Sequence, residues 1–186
     1  MKRLFDLILS TVVIVILLIP MLLIMFAIRL TSKGPALYWS DRVGIDNSLY
    51  KMPKFRSMRT DTPEVATHLL LNPNKFLSPI GGFLRRTSLD ELPQVFSIFK
   101  GDMSFVGPRP ALFNQDDLIA LRSENNLAKL IPGLTGWAQI NGRDNLSISE
   151  KIELEIEYLH KRSFWFDCKI LWLTFLKVIS KTGVLH

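Results

Sequence analysis

Leu7-Ile-Leu-Ser-Thr-Val-Val-Ile-Val-Ile-Leu-Leu-Ile-Pro-Met-Leu-Leu-Ile-Met-Phe-Ala-Ile28 is a run of 22 residues without a charge. Lys2 and Arg3 precede it; Arg29 and Lys33 follow it. A helix of that length crosses a bilayer. A cleaved signal peptide is disfavoured, because the run is long and no A-x-A site follows it. A plain transmembrane helix is the default. A re-entrant helix, entering and leaving on one side, is the rival. Pro20 sits near the middle, where it removes an intrahelical hydrogen bond and kinks the helix. Positive charge flanks both ends, which suits a course with both ends cytoplasmic. Proline kinks also occur in ordinary spans, so these residues leave the spanning and re-entrant courses open.

The bulk numbers agree with a membrane setting. The chain has 186 residues, one domain's worth and enough for a real core. Apolar residues make up 48%, and the mean hydropathy is +0.21. Some apolar surface is therefore expected to meet lipid. The net charge of +6 suits anionic partners: nucleic acid, phosphorylated substrates or acidic headgroups. The cations are dispersed and no nucleic-acid-binding module is recognisable, so no nucleic-acid partner is expected. Cys168 is the sole cysteine, which excludes an internal disulfide and a thiolate metal cage. His68, His160 and His186 lie far apart, without zinc-site spacing.

Beyond the apolar run, Gly34-Pro35 breaks the chain and Ala36-Leu-Tyr-Trp39 reads as a short strand. Gly44 to Ser48 is a turn cluster. Tyr50 to Arg59 carries Lys51, Lys54, Arg56 and Arg59. Lys54, Arg56 and Ser57 are phosphate-site candidates, against the plainer reading of a solvated basic strand. Residues 61–78 read as a surface helix and loop. Asn141-Gly142 is a strong turn signal. Ser147-Ile-Ser-Glu150 has the form of a capping box, and Ile148, Ile152, Ile156 and Leu159 form one helical stripe behind it. From Ser163 to Lys181 the tail is aromatic, and Lys169, Lys177, Ser180 and Lys181 make a narrow polar strip. Such a helix suits the membrane interface; a core helix is the alternative.

Asp90 and Glu91 are adjacent carboxylates just after Arg85 and Arg86. Ser88-Leu-Asp-Glu91 also fits a capping box. Pro93 argues against that box, since it would occupy the fifth helical position, where a donor is wanted. Pro93 is better placed in a first turn, with the two acids at or just before the helix start. Adjacent helical residues point about 100° apart. Different jobs for the two acids are therefore more natural: one a nucleophile or metal ligand, the other a support. Pro108-Arg109-Pro110 fixes the backbone on both sides of one arginine, which lowers the entropy cost of aiming a guanidinium at a phosphate. Arg143 is another arginine on a turn.

Ser88-Leu-Asp-Glu-Leu-Pro-Gln94, Lys100-Gly-Asp-Met-Ser-Phe-Val-Gly-Pro-Arg-Pro110 and Pro132-Gly-Leu-Thr-Gly-Trp-Ala-Gln-Ile-Asn-Gly-Arg143 follow in this order. Together they resemble the bacterial sugar transferase family, the monotopic phosphoglycosyl transferases. Lys54-Phe-Arg-Ser-Met58 resembles a further family motif. The likeness runs from Lys2 to about Val184, and is to small members such as the bacillosamine phosphate transferase, without the extra N-terminal helices of larger ones.

The resemblance implies an α+β fold. Residues 1–32 would form a re-entrant membrane helix. Residues 33–186 would form a small, mostly helical cytoplasmic domain with amphipathic helices at the interface, on the cytoplasmic face of the bacterial inner membrane. The family helix breaks at a Ser-Pro pair; here the pair is Ile19-Pro20. The implied reaction passes a sugar 1-phosphate from a UDP-sugar to polyprenyl phosphate and releases UMP. Asp90 would be the nucleophile and the Mg²⁺ ligand, with Glu91 in support. Arg85, Arg109 and Arg143 would bind phosphate, beside Lys54 and Arg56.

Overall fold

The computed structural model describes residues 1–62, 73–142 and 145–180. It mixes helix and strand, and it begins with an apolar helix, α1 (Lys2–Thr31), long and apolar enough to cross a membrane. Pro20 lies inside α1. One stripe of α1 is buried against the rest of the chain, through Asp6, Ser10, Met21 and Ile28. Their spacing follows the i, i+4 and i, i+7 repeat that keeps residues on one helix face. The opposite stripe, including Ile8, Val15, Ile19, Leu23 and Phe26, is exposed.

Polar contacts fix both ends of α1. At the start, Lys2 pairs with Asp167, which also accepts the Tyr158 hydroxyl at 2.8 Å. Arg3 donates to the carbonyls of Ile98 and Phe99 at 2.6 and 2.7 Å. Asp6 accepts from the Phe105 amide at 3.2 Å. At the far end, Arg56 Nη2 donates to the carbonyl and hydroxyl of Ser32 at 3.1 and 2.6 Å. The last carbonyls of a helix lack intrahelical partners, and a cation there also meets the negative end of the dipole.

The next elements form a hairpin. β1 (Leu37–Val43) pairs antiparallel with β2 (Leu49–Phe55), from Leu37 opposite Phe55 to Val43 opposite Leu49. The strand is longer than Ala36–Trp39 alone suggested. Asp46 and Asn47 close the loop at φ 51° and 59°, a left-handed region that Asn and Asp tolerate better than most residues. Two short helices follow, α2 (Gly81–Arg86) and α3 (Gln94–Lys100), separated by a single 3₁₀ turn over Leu89–Glu91. The expected helix within 61–78 lies largely outside the described residues; Pro73–Phe76 is a 3₁₀ turn.

β3 (Ser104–Val106) and β4 (Gly133–Thr135) form a short parallel pair. Helix α4 (Asp116–Glu124) lies between them in sequence, and α5 (Trp137–Asn141) follows. Asn141-Gly142 thus ends a short helix and does not turn a hairpin. α6 (Ile148–Lys161) opens with the expected capping box: the Glu150 amide reaches the Ser147 hydroxyl, and the Glu150 carboxylate accepts from the Ser147 amide.

α7 (Phe164–Ser180) carries the expected strip of Lys169, Lys177 and Ser180 exposed, with Lys181 outside the described residues. Lys169 lies over the Trp137 ring at 5.9 Å, and Lys177 donates to the carbonyl of Ile140. Both cations turn toward α5. The rest of the exposed face of α7 is apolar and aromatic, with Trp165, Trp172 and Phe175, while Ile170 is fully buried on the inner face.

Two apolar clusters hold these elements. One gathers Ile98, Met103, Val106, Leu127 and Ile170; the other gathers Met21, Ile28, Phe55 and Leu84. α1 contributes to both. Main chain also approaches closely beside β3 and β4, where a Cβ on Gly133 would lie 2.0 Å from the Gly107 amide nitrogen. Main chain occupies that space and cannot swing aside. Gly133→Ala is therefore expected to destabilise the fold by about 3 kcal/mol or more, read as a lowered unfolding temperature in detergent. An unchanged unfolding temperature would contradict this packing.

Candidate active site

The acid pair sits in the 3₁₀ turn between α2 and α3. Ser88 enters it in the left-handed region, at φ 55° and ψ 18°. Its side chain makes no capping bond, so the capping-box alternative is not realised. Pro93 stands at the N-cap of α3. It has no N–H, and a helix start is where a missing donor costs least. The two acids therefore precede the helix.

Their surroundings differ. Glu91 Oε1 lies 3.0 Å from Lys54 Nζ and 3.5 Å from Arg109 Nη2. Asp90 is buried, at 8% exposure. Burial pushes its carboxyl above the usual carboxylate range; Lys54 pulls it back, Glu91 adds to the rise, and Arg85 opposes it. A charged group in a poorly solvated place loses hydration, and the neutral form gains. Burial likewise lowers Lys54, against the pull of Glu91. Such opposed shifts on neighbouring groups mark candidate sites for chemistry.

Strand register explains how Lys54 arrives. Lys54 stands opposite Tyr38, Met52 opposite Ser40, and Tyr50 opposite Arg42. Side chains alternate along a strand, so these residues share one face. That face brings in Arg42, which the sequence reading did not single out. Burial and then the nearby Arg109 guanidinium lower Arg42 to about 10. The period-two repeat through Lys54, Met52 and Tyr50, once paired with β1, is the signal that would have found it.

Arg109 comes from the opposite side. The segment Gly107-Pro108-Arg109-Pro110 leaves β3 and returns to β1, where the Val43 amide donates to the Ala111 carbonyl at 3.0 Å. Arg85 projects from α2 near enough to act on Asp90. The structure thus brings Lys54, Arg85 and Arg109 to the acid pair. It places Arg56 elsewhere, buried at the end of α1 on Ser32. Arg143 lies outside the described residues.

Among the described residues, no three or more His, Cys, Asp or Glu side chains gather to hold a metal ion. Two adjacent carboxylates remain, both hard oxygen donors. Magnesium is commonly bound by one or two carboxylates, completed by water and phosphate oxygens. The donor set fits such an ion and fits a soft-metal cage poorly. The arrangement combines a buried carboxylate with converging cations, which suits chemistry on an anionic, phosphorylated substrate.

Comparison with known proteins agrees. The profile of the family described as bacterial sugar transferase matches residues 1–181. The chain is 39% identical over 185 residues to the UDP-glucose:undecaprenyl-phosphate glucose-1-phosphate transferase of Escherichia coli, covering 95% of this chain and 40% of that protein. It is 39% identical over 189 residues to EpsL, an uncharacterized sugar transferase of Bacillus subtilis, covering 99% and 90%. It is 33% identical over 201 residues to the undecaprenyl-phosphate galactose phosphotransferase of Salmonella typhimurium, covering 98% and 41%. The chain thus spans about 40% of the length of the Escherichia coli and Salmonella proteins. It belongs to the bacterial sugar transferase family.

The raised Asp90 carboxyl has a consequence for stability. In the window between its unfolded and folded titrations, the folded state binds more protons. Stability therefore falls as pH rises through that window. Asp90→Asn removes the buried charge. It is expected to raise the unfolding temperature above that window, with the gain shrinking as pH falls through it and gone below about 4, the ordinary Asp range. A variant less stable than wild type at pH 7, with no pH dependence of the difference, would contradict this environment for Asp90.

Proposed function

Taking that membership as the premise, we propose that the chain transfers a sugar 1-phosphate from a UDP-sugar to polyprenyl phosphate, with undecaprenyl phosphate as the bacterial acceptor. The carrying observation is the buried Asp90 beside a Glu91 already bridged to Lys54 and Arg109. Glu91 is committed to those cations. Asp90, the less solvated carboxylate, is left as the nucleophile.

In the first step an Asp90 oxygen attacks the β-phosphorus of the UDP-sugar. The bond from that phosphorus to the bridging oxygen breaks, and UMP leaves with the oxygen. The sugar phosphate is now an acyl phosphate ester of Asp90. In the second step a phosphate oxygen of the polyprenyl phosphate attacks the same phosphorus. The Asp90–phosphorus bond breaks, which restores the carboxylate and gives the polyprenyl diphosphate sugar.

Lys54 and Arg109 face the non-bridging oxygens, where charge must be offset. Arg85 does the same from the Asp90 side. Glu91 keeps the two cations apart and aimed. Mg²⁺, when bound, would be held by Asp90 and would offset diphosphate charge. Because Asp90 must be ionised to attack, the acid limb of the rate profile lies above the usual carboxylate range.

The same reading places the enzyme on one face of the membrane, the cytoplasmic face of the bacterial inner membrane. Asp6 to Ile28 covers about 33 Å of helix at the ideal rise, close to the hydrocarbon thickness of about 30 Å. A helix packed on one domain over that length cannot cross the bilayer and leave the domain in water. Both of its ends are also tied to that domain. A re-entrant course with its exposed ridge in lipid meets both conditions. The aromatic face of α7 would lie at the interface.

Two tests follow. Purified protein with Mg²⁺, undecaprenyl phosphate and a panel of UDP-sugars is expected to release UMP from at least one donor. EDTA should stop it, and Asp90→Asn should lower turnover by about 10³-fold or more. Full turnover in Asp90→Asn would refute the nucleophile. For topology, an N-terminal tag and a Lys33→Cys thiol, in a Cys168→Ser background, should both react in inverted vesicles and neither in spheroplasts. Reaction of the two from opposite sides would mean a spanning helix.

A further inference from the structure

Pro108-Arg109-Pro110 has two residues without an amide hydrogen, so it cannot fix itself through main-chain donors. Its carbonyls are held from outside. The Gly133 amide donates to Pro108 O at 2.8 Å, and the Val43 amide to Ala111 O at 3.0 Å. Between them, Arg42 Nη1 donates to Pro110 O at 3.1 Å, and Arg122 Nη2 to Arg109 O at 2.9 Å. The two outer donors belong to strand main chain. The two inner ones are guanidiniums, and Arg122 grips the carbonyl of Arg109 itself.

Arg122 reaches this carbonyl from α4 because Glu155 of α6 holds its other edge. Arg122 Nε donates to Glu155 Oε2 at 2.8 Å, and Nη2 to Oε1 at 2.5 Å. The side chains are 11% and 4% exposed. Neither residue belongs to a segment singled out for chemistry. Stability accounts poorly for such a pair, since a buried ion pair is often matched or bettered by apolar residues of similar volume. The bond to Arg109 O is what an apolar pair would not supply. A lysine would not supply it either: it lacks the planar fork that serves the carboxylate and the carbonyl together.

We propose that Arg122 and Glu155 are positioning residues for the transfer reaction: their ion pair fixes the Arg109 main chain and so aims the Arg109 guanidinium at the site of Glu91. The inference rests on the phosphate-clamping role given to Arg109 above. Arg122 and Glu155 act through Arg109 and touch neither substrate nor acid pair. Their loss should therefore mimic a misaimed Arg109.

The test is a mutant cycle on UMP release by the full-length enzyme, assayed on the monodisperse fraction. Arg122→Lys and Glu155→Gln are each expected to lower kcat by roughly 10- to 100-fold, the size of effect that a 1 Å misplacement produces, with KM for polyprenyl phosphate unchanged. The double change Arg122→Met, Glu155→Leu guards against misfolding, because it removes both charges together; it should fold and show the same loss. In an Arg109→Ala background none of these changes should lower kcat further, since no guanidinium remains to be aimed. Equal losses in both backgrounds would mean a general structural role and would overturn the proposal, as would a folded double variant with wild-type turnover. A wild-type enzyme that releases no UMP from any UDP-sugar would overturn the underlying functional reading, and this inference with it. That outcome is separable, because its arm contains no variant.

Discussion

Glu91 Oε1 lies within 3.0 Å of a lysine from a hairpin strand and 3.5 Å of an arginine from a proline-locked loop. Much of the chain has to be in place for that oxygen to be shared. The β1–β2 register sets the depth of Lys54. The glycine approach between β3 and β4 sets where Gly107 ends and Pro108 begins. The left-handed Ser88 and the proline at the head of α3 put Glu91 between them. With Glu91 so engaged, its neighbour is the carboxylate left buried and less tightly bridged. Two residues of similar chemistry thus have different environments, and under the proposed mechanism different roles, which is how paired acids commonly divide their work.

The apolar helix belongs to the same construction. Arg3 caps the carbonyls at the end of α3, whose head carries the acid pair. Asp6 holds the Phe105 amide in β3, the strand that leads to Arg109. The apolar helix and the site geometry are thus joined through the first turns of α1. The buried pair Arg122–Glu155 does comparable work on the far side, through α4 and α6.

Much of this was legible in the residues. The apolar run, the capping box at Ser147, the failed box at Ser88 and the helix start after Pro93 all follow from local rules that the structure obeys. Local rules did less well where long-range packing decides. The lysines of α7 read as a strip on the helix surface, and their contacts with Trp137 and the Ile140 carbonyl of α5 could not be foreseen from it. Arg56 and Lys54 sit two apart in one basic segment, yet Lys54 meets Glu91 while Arg56, past the strand end, meets Ser32. Arg42 carried no signal until its register with Tyr50 was known. Pairing partners distant in sequence are invisible to periodicity.

Under the proposed mechanism, Asp90 becomes covalently attached to the sugar phosphate. The most direct measurement is intact-protein mass spectrometry, with peptide mapping, of enzyme mixed with a productive UDP-sugar in the absence of polyprenyl phosphate. The account predicts a mass increase of one sugar phosphate on Asp90, with UMP released in step, and its disappearance when the acceptor is added. UMP release that strictly requires the acceptor, with no adduct on Asp90 at any time, would contradict it.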